Sequence, residues 1–354
     1  MNAGESIIGP DDPILVTGAA GFIGLRVIET LLDYGFRNIR CFLRPSGNIA
    51  KLEALIQRRN ASALIHLVRG NLLSRKDCQE AVSNASVVYH LAAGRGEKLF
   101  ADAFMNSVVT TRNLMEGCAN RGSLKRLVSI SSFSVYSNQD KPRGRLLDET
   151  CPLEKRPEMR GDAYSFAKVK QDEIVMELGE KLRIPYVIVR PGFVYGPGNE
   201  AITGRVGLGT FGIFLHLGGS NQIPLSYVDN CAEAIVLAGI RPGIDGEVFN
   251  VVDDDLPSSR RFLRLYKKKA KRIRSVYLPH AVSWLLCFIW EKYSAWSEGQ
   301  LPAVYNRKVW HAYWKKTRYS NEKLKQRLGW QPRVKAEDAL NRYFRACKEK
   351  AQHA

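Results

Sequence analysis

The sequence has no Cys-x-x-Cys pair: its seven cysteines stand at 41, 78, 118, 151, 231, 287 and 347, and none has a histidine partner at metal-ligand spacing. Neither a disulfide framework nor a metal site is therefore expected, and a reducing, cytoplasmic compartment fits this usage. The opening MNAGESIIGPDDP lacks the basic start and apolar run of a secretory signal. Long hydrophobic runs are missing too. The longest, Ala281 to Trp290, is about half of the ~20 residues that cross a bilayer, so no transmembrane helix is expected. Internal repeats and low-complexity stretches are also lacking, which excludes solenoids and disordered arrays.

The chain has 354 residues and a formal charge of +18, and the location of that charge matters more than its size. Residues 1–259 carry 29 Lys/Arg against 29 Asp/Glu, whereas residues 260–354 carry 24 against 6. A neutral body with a basic C-terminal portion points to a local face for something anionic, and no nucleic-acid motif accompanies it. Up to about residue 190, short β-branched runs alternate with helical patterns, the form of repeated βα units and a parallel sheet. Strands are read at 14–17, 39–43, 64–68, 86–91, 126–131 and 186–190. Beyond Arg190 come Gly- and Pro-rich loops, a helix near Asp229 to Gly239 and a strand EVFNVV. From Pro257 onward the chain reads as helical, basic and rich in Trp and Tyr.

Gly18-Ala19-Ala20-Gly21-Phe22-Ile23-Gly24 follows the first strand and opens an amphipathic helix that Gly35 stops. In that setting the first glycine permits the tight turn and the second lets backbone approach a pyrophosphate. The third lets helix and strand pack closely, and the helix N-terminal amides face the phosphates. The reading is a dinucleotide site in a Rossmann-type α/β fold, a doubly wound parallel sheet with a smaller, mainly helical C-terminal substrate lobe. The boundaries expected are 1–190 and 226–252 for the NAD(P)-binding domain, and 191–225 and 253–354 for the lobe.

The Gly-x-x-Gly-x-x-Gly spacing resembles the extended branch of the short-chain dehydrogenase/reductase superfamily, which includes NAD-dependent epimerases and dehydratases, 3β-hydroxysteroid dehydrogenases and dihydroflavonol reductases. Asn71-Leu72, His90-Leu91-Ala92-Ala93, Asn106 opening the NSVVTTRNLMEG helix, Ser131 to Tyr136, Tyr164-Ser-Phe-Ala-Lys168, Arg190 to Gly196 and Leu328 to Pro332 carry the same resemblance in order. It implies that Gly18, Ala20, Gly21, Phe22, Ile23, Gly24, Asn71, Leu72, Leu91, Ala92, Ala93, Asn106, Ser131, Tyr164, Lys168, Pro191, Gly192 and Val194 line the cofactor. It also implies a homodimer formed through two helices beside the sheet. At the end of the second strand an acidic residue would bind a ribose 2′-hydroxyl, while arginine favours a 2′-phosphate. Here Leu43-Arg44-Pro45 has no carboxylate near it, so Arg44 favours NADP(H), with NAD(H) left open.

Hydride transfer at a carbinol needs a proton acceptor for the hydroxyl and a donor that polarises the oxygen. Tyr164 and Lys168 are four apart and share a helix face. A cation within a few Å lowers a phenol's pKa of about 10 by roughly 1 to 3 units. With fourteen tyrosines in the chain, a Tyr-x-x-x-Lys arises about once by chance. A second copy, Tyr319 to Lys323, lies after every strand of the parallel sheet and matches the family's terminal structural motif instead. For the polarising donor the residues offer Ser131, Ser132 and Ser134; alternation puts Ser132 and Ser134 on one side of an extended segment. The resemblance, counted back three from Val135, selects Ser132. Dehydratase members carry an Asp-Glu pair where this chain has Phe133-Ser134, which argues against elimination. His90 is expected to pack beside the cofactor, and the remaining histidines, 66, 216, 280, 311 and 353, show no cluster.

The reading is therefore an NAD(P)-dependent oxidoreductase acting on a small-molecule secondary alcohol or ketone, with Ser132, Tyr164 and Lys168 as its catalytic residues. A nucleotide-sugar epimerase with tightly held NAD and a non-enzymatic dinucleotide-binding protein are the alternatives. Pro191-Gly192 resembles the steroid and flavonoid members and favours a bulky, weakly charged substrate. Residues 260–274 hold nine Lys/Arg and lead into WLLCFIWEKYSAW. Across residues 260–296 this is either a solvated helix face followed by lobe-packing aromatics, or a peripheral contact with anionic membrane.

Overall fold

The computed structural model describes residues 6–94, 96, 99–119, 121–298, 300–301 and 304–352; His353 lies outside them. The chain opens with β1 (Ile14–Thr17), α1 (Phe22–Asp33), β2 (Ile39–Leu43), α2 (Ala50–Arg58), β3 (Ile65–Arg69), α3 (Arg75–Val82) and β4 (Val87–His90). A helical run follows, made of α4 (Phe100–Phe104), a π-helical turn (Met105–Val109) and α5 (Thr110–Cys118). Then come β5 (Arg126–Ile130), β6 (Leu146–Leu147), α6 (Ala163–Lys181) and β7 (Tyr186–Pro191). The next segment holds β8 (Phe193–Tyr195), β9 (Gly207–Thr210), β10 (Ile213–His216), β11 (Leu225–Tyr227), α7 (Val228–Ile240) and β12 (Val248–Val251). The last elements are α8 (Ser259–Lys269), β13 (Ser275–Tyr277), α9 (His280–Trp296), α10 (Arg307–Tyr313), β14 (Arg318–Tyr319), α11 (Glu322–Leu328) and α12 (Ala336–Gln352).

Seven strands form one parallel sheet in the order β12-β7-β5-β4-β1-β2-β3. The strand order reverses at β1, between β2 and β4, and such a switch point opens a crevice beyond the strand ends. Alternation along the strands divides the core. Leu15, Phe42, Val88, Leu127 and Ile188 pack with α3, α5 and α6, while Ile14, Val16, Cys41, Tyr89, Val128 and Val187 pack with α1 and α7. Both faces are covered, so the strands read as continuous apolar runs.

Where the structure departs from the sequence reading, long-range pairing decides. The segment around GRVGLGTFG, read as loop, is an antiparallel hairpin of β9 and β10. Its turn residues Phe211 and Gly212 have φ of 46° and 74°, as a two-residue primed turn requires. The region after Pro257 is not wholly helical: β13 pairs with β10 and β14 with β6, in strands of three and two residues, too short to show a period of two. Asn106 does not open a helix. It lies inside the π-helical turn of a run that begins at Phe100, where Thr110 Oγ1 donates to its carbonyl at 3.0 Å. A helix with that extra residue per turn has no local sequence signature.

Candidate functional site

Gly18 has φ of +70°, and a Cβ there would lie 2.8 Å from the Ala92 nitrogen, so the turn packs directly on the chain leaving β4. A Cβ on Gly24 would run into the Gly18 and Ala19 carbonyls, so the close packing at the third glycine is between the helix and the turn itself rather than the strand. Gly21 caps α1 in extended conformation and, lacking a side chain, offers the helix's first amides no capping bond. The helix N-terminus thus stays open for an anion, so the residues fit a pyrophosphate. Ala20, Phe22, Arg26, Lys51, Arg58 and Gly198 line a cavity of about 320 Å³ beside this turn.

Arg44 is exposed at the end of β2. β3 runs one residue further than the sequence reading, which sets Arg69 opposite Leu43, and Arg69 donates to the Arg44 carbonyl at 3.3 Å. The Arg69 guanidinium therefore lies on the backbone at the end of β2, where Arg44 is exposed. Asn71 is exposed, its side-chain carbonyl accepting from Leu73 N at 3.0 Å, and the Leu72 side chain is buried in the core. Leu91, Ala92 and Ala93 are half-buried beyond β4, with Ala92 N donating to Thr17 Oγ1 at 3.3 Å.

At the end of β5 the chain turns into a 3-10 helix at Phe133–Val135, capped by Ser132, whose Oγ accepts from Ser134 N at 3.2 Å. The segment is a turn rather than a strand, so the alternation argument for Ser132 and Ser134 does not apply. Ser131 and Ser134 are buried, whereas Ser132 is half-exposed. Tyr164 lies half-buried in the first turn of α6. Asp162 caps that helix, accepting from Tyr164 N at 3.1 Å and from the Ser165 hydroxyl.

Lys168 is buried, and its ammonium donates to the Ile130 carbonyl at 2.6 Å and to Gln171 Oε1 at 2.8 Å. The first bond ties α6 to β5 two residues before Ser132. It also uses, with the second, two of the ammonium's three donors. Burial pushes the Lys168 pKa down to about 8, against the pull of Asp172. Behind it runs a buried chain that sequence reasoning missed. Gln171 Nε2 donates to Thr111 Oγ1 at 3.0 Å; His90 bridges Thr111 and Thr17 at 2.8 Å through its two ring nitrogens. Desolvation, then Lys168, pushes the His90 pKa down to about 3, so the imidazole is neutral and fully engaged as a brace. The one available signal was Gln171, one helix turn from Lys168.

Asp172 is buried and paired with Arg190 at 2.9 Å. Desolvation raises the Asp172 pKa, and Arg190 opposes it. Arg190 also donates to the Tyr136 hydroxyl at 3.0 Å, which holds the turn after Ser132 against β7. Pro191 ends β7, and a Cβ on Gly192 would come within 2.3 Å of the Pro224 carbonyl oxygen. Close backbone packing is thus a structural reason for that glycine, independent of substrate type. Val194 is half-buried, its carbonyl accepting from Asn199 Nδ2 at 2.8 Å.

The C-terminal elements clamp the segment after Ser132. Lys315 donates to the Asn138 carbonyl at 2.7 Å, Lys308 pairs with Glu154 at 2.8 Å, and Asn306 donates to the Arg160 carbonyl at 3.0 Å. The second Tyr-x-x-x-Lys is not a helical pair: Tyr319 lies on β14 with its ring 5.6 Å from that of Phe133, while Lys323 lies on α11 and donates to the Val248 carbonyl at 2.9 Å.

Residues 14–251 match the model of the NAD dependent epimerase/dehydratase family. The chain is 27% identical to the sterol-4-alpha-carboxylate 3-dehydrogenase, decarboxylating, of Candida albicans, over 93% of this chain and 95% of that protein. It is 24% identical to dihydroflavonol 4-reductase of Hordeum vulgare, over 53% of this chain and 55% of that protein. Among solved structures, UDP-glucuronic acid 4-epimerase from Bacillus cereus in complex with NAD superposes with a TM-score of 0.70 at 22% identity, covering 95% of this chain and 99% of that one. That last match is one of fold.

Proposed function

The chain belongs to the NAD dependent epimerase/dehydratase family, a group of extended short-chain dehydrogenases, and on that premise we propose that it moves a hydride at a secondary alcohol or ketone, with Tyr164 as acid/base. The observation that carries this reading is the Lys168 bond to the Ile130 carbonyl, which brings the start of α6 to the strand end bearing Ser132. When bound, the nicotinamide supplies the hydride acceptor or donor. Gly18 and residues 20–24 would hold its pyrophosphate, Arg44 with Arg69 alongside a 2′-phosphate, and Leu91 to Ala93 with Pro191, Gly192 and Val194 the rest.

The protein's own part is proton handling and orientation. Ser132 donates a hydrogen bond to the substrate oxygen and polarises it. Tyr164 takes the hydroxyl proton in oxidation and returns it to the oxygen in reduction. Below about pH 8 Lys168 is cationic, and its field favours the phenolate form of its helix neighbour. The neutral His90 brace keeps that ammonium in place without competing for the proton. The near full-length similarity to a sterol-acting dehydrogenase supports a bulky, mostly apolar alcohol as substrate, and Arg44, exposed at the end of β2, supports NADP(H). The dimer is part of the same reading, with α5 and α6 the two helices beside the sheet.

Tyr164→Phe tests it. Turnover should fall by about 10² to 10⁴-fold while NADPH affinity, tighter than NADH affinity in both proteins, is retained. Near-normal turnover in the variant would overturn the assignment. Stoichiometric NAD released from the denatured wild type would move the reading to an epimerase.

A further inference from the structure

α9 is built inside out. Its fully buried residues are Ser283, Cys287 and Ser294, beside the half-buried Trp284, which packs on the same cluster as Cys287. Val282, Leu285, Leu286, Ile289, Tyr293 and Trp296 point outward, from 43% exposed at Val282 to 76% at Trp296. At 3.6 residues per turn these six fall within one sector of about 100°, and no charged residue lies inside it. A single exposed leucine is ordinary, but a contiguous apolar sector on a helix surface is not.

The helix is locked in this orientation. Trp310 Nε1 donates to Ser283 Oγ at 2.9 Å, Cys287 packs with Leu217, Val309, Trp310 and Trp314, and Arg307 pairs with Glu291 at 2.9 Å. Rolling the apolar sector inward would break all three. It would also place leucine and isoleucine where Ser283, Cys287 and Ser294 are now enclosed.

The chain that leads into this helix is the most basic in the protein. Residues 260–274 hold nine Lys/Arg, and Arg261, Arg264, Lys268, Lys271, Arg272 and Arg274 are exposed. Between them and α9, β13 leaves Val276 and Tyr277 half-exposed. The neighbouring hairpin ends in Phe211, which is fully exposed at its turn. The exposed basic stretch that leads into α9 argues against a second copy of this chain on the same patch, because an isologous contact would bring like charges together. It suits a surface of opposite sign with an apolar layer beneath.

We propose that α9, with the 260–274 cations at its entrance, is a docking surface for an anionic lipid leaflet. The 17-residue helix is about 25 Å long and lies flat at the boundary between headgroups and acyl chains. Its aliphatic sector enters the acyl layer, with Tyr293 and Trp296 at the interface and the basic stretch on the lipid phosphates. Docking is independent of the chemistry at Tyr164.

Flotation of the full chain with phosphatidylglycerol–phosphatidylcholine vesicles tests it. Wild type should float with them at low salt, be released by high salt, and fail to float with phosphatidylcholine alone. The double variant Leu286→Gln/Ile289→Gln should partition about a hundredfold less, and Lys268→Gln/Lys271→Gln/Arg272→Gln at least about tenfold less. All five positions are exposed, so both variants should melt as the wild type does. Brominated acyl chains should quench wild-type tryptophan fluorescence, a readout that needs no variant. Absence of wild-type flotation, or variants that float as well as wild type, overturns the proposal. So does a smaller species in light scattering for Leu286→Gln/Ile289→Gln, which would give the face to a second copy.

Discussion

α6 and α9 have similar lengths, 19 and 17 residues, and depart from helix amphipathicity in opposite senses. α6 buries Ser165, Lys168, Gln171 and Asp172. α9 turns six large apolar side chains outward and buries small polar ones. The difference lies in what completes each face. Every buried polar group named on α6 meets a partner inside the protein, in Asp162, the Ile130 carbonyl, Thr111 or Arg190. The cost of burying it is offset by chemistry held in place. Among the described residues the apolar sector of α9 is left 43% to 76% exposed, and we read its completion as coming from outside.

If the contrast is right, making α6 more apolar should harm the protein, and making α9 more polar should not. The largest effect is expected from Asp172→Leu, which leaves the buried Arg190 without its anion; a loss of about 3 to 5 kcal/mol should show in urea unfolding. Lys168→Met gives the next, read as a function of pH. Burial disfavours the charged lysine, so the unfolded chain binds more protons between pH 8 and 10.5. Lys168's contribution to stability therefore rises through that window and is constant outside it. Wild type should gain up to about 3 kcal/mol on Lys168→Met across it, and parallel stability curves would mean that the ammonium is not desolvated. The smallest effect is expected on α9, where Leu286→Gln/Ile289→Gln should change stability by no more than about 0.5 kcal/mol per site. A larger loss would show that this face is packed.

β1 and β2 span the residues read from sequence, Ile14–Thr17 and Ile39–Leu43, because buried parallel strands are short apolar runs bounded by turns. Gly18 and Gly24 were legible for a related reason: tight backbone contact leaves no alternative residue. The brace behind Lys168 was not. Thr17, His90 and Thr111 are far apart in sequence, and a threonine in a strand or helix carries no mark of the partner it will meet. The three candidate serines were separated only when the turn after β5 buried Ser131 and Ser134. For α9 the periodicity shows that an apolar face exists, but not which way it points. That direction is set by Trp310 and Arg307, which follow the helix in the chain. The aromatics of this region divide accordingly, with Trp310 and Trp314 inside and Trp296 out.

The short pairing of β6 with β14 joins Leu146-Leu147 to Arg318-Tyr319, and Lys308 and Lys315 grip the same stretch. During synthesis the ribosome releases the glycine turn, the sheet strands through β7 and the Lys168 brace long before residues 306–319 emerge. A growing chain can therefore assemble its dinucleotide half early, with Arg190 already holding Tyr136, whereas the stretch from Asn138 to Glu154 waits for residues 306–319 before it is gripped. Chains cut short of β14 should bind nucleotide yet turn over substrate poorly, because the segment after Ser132 is then only partly held.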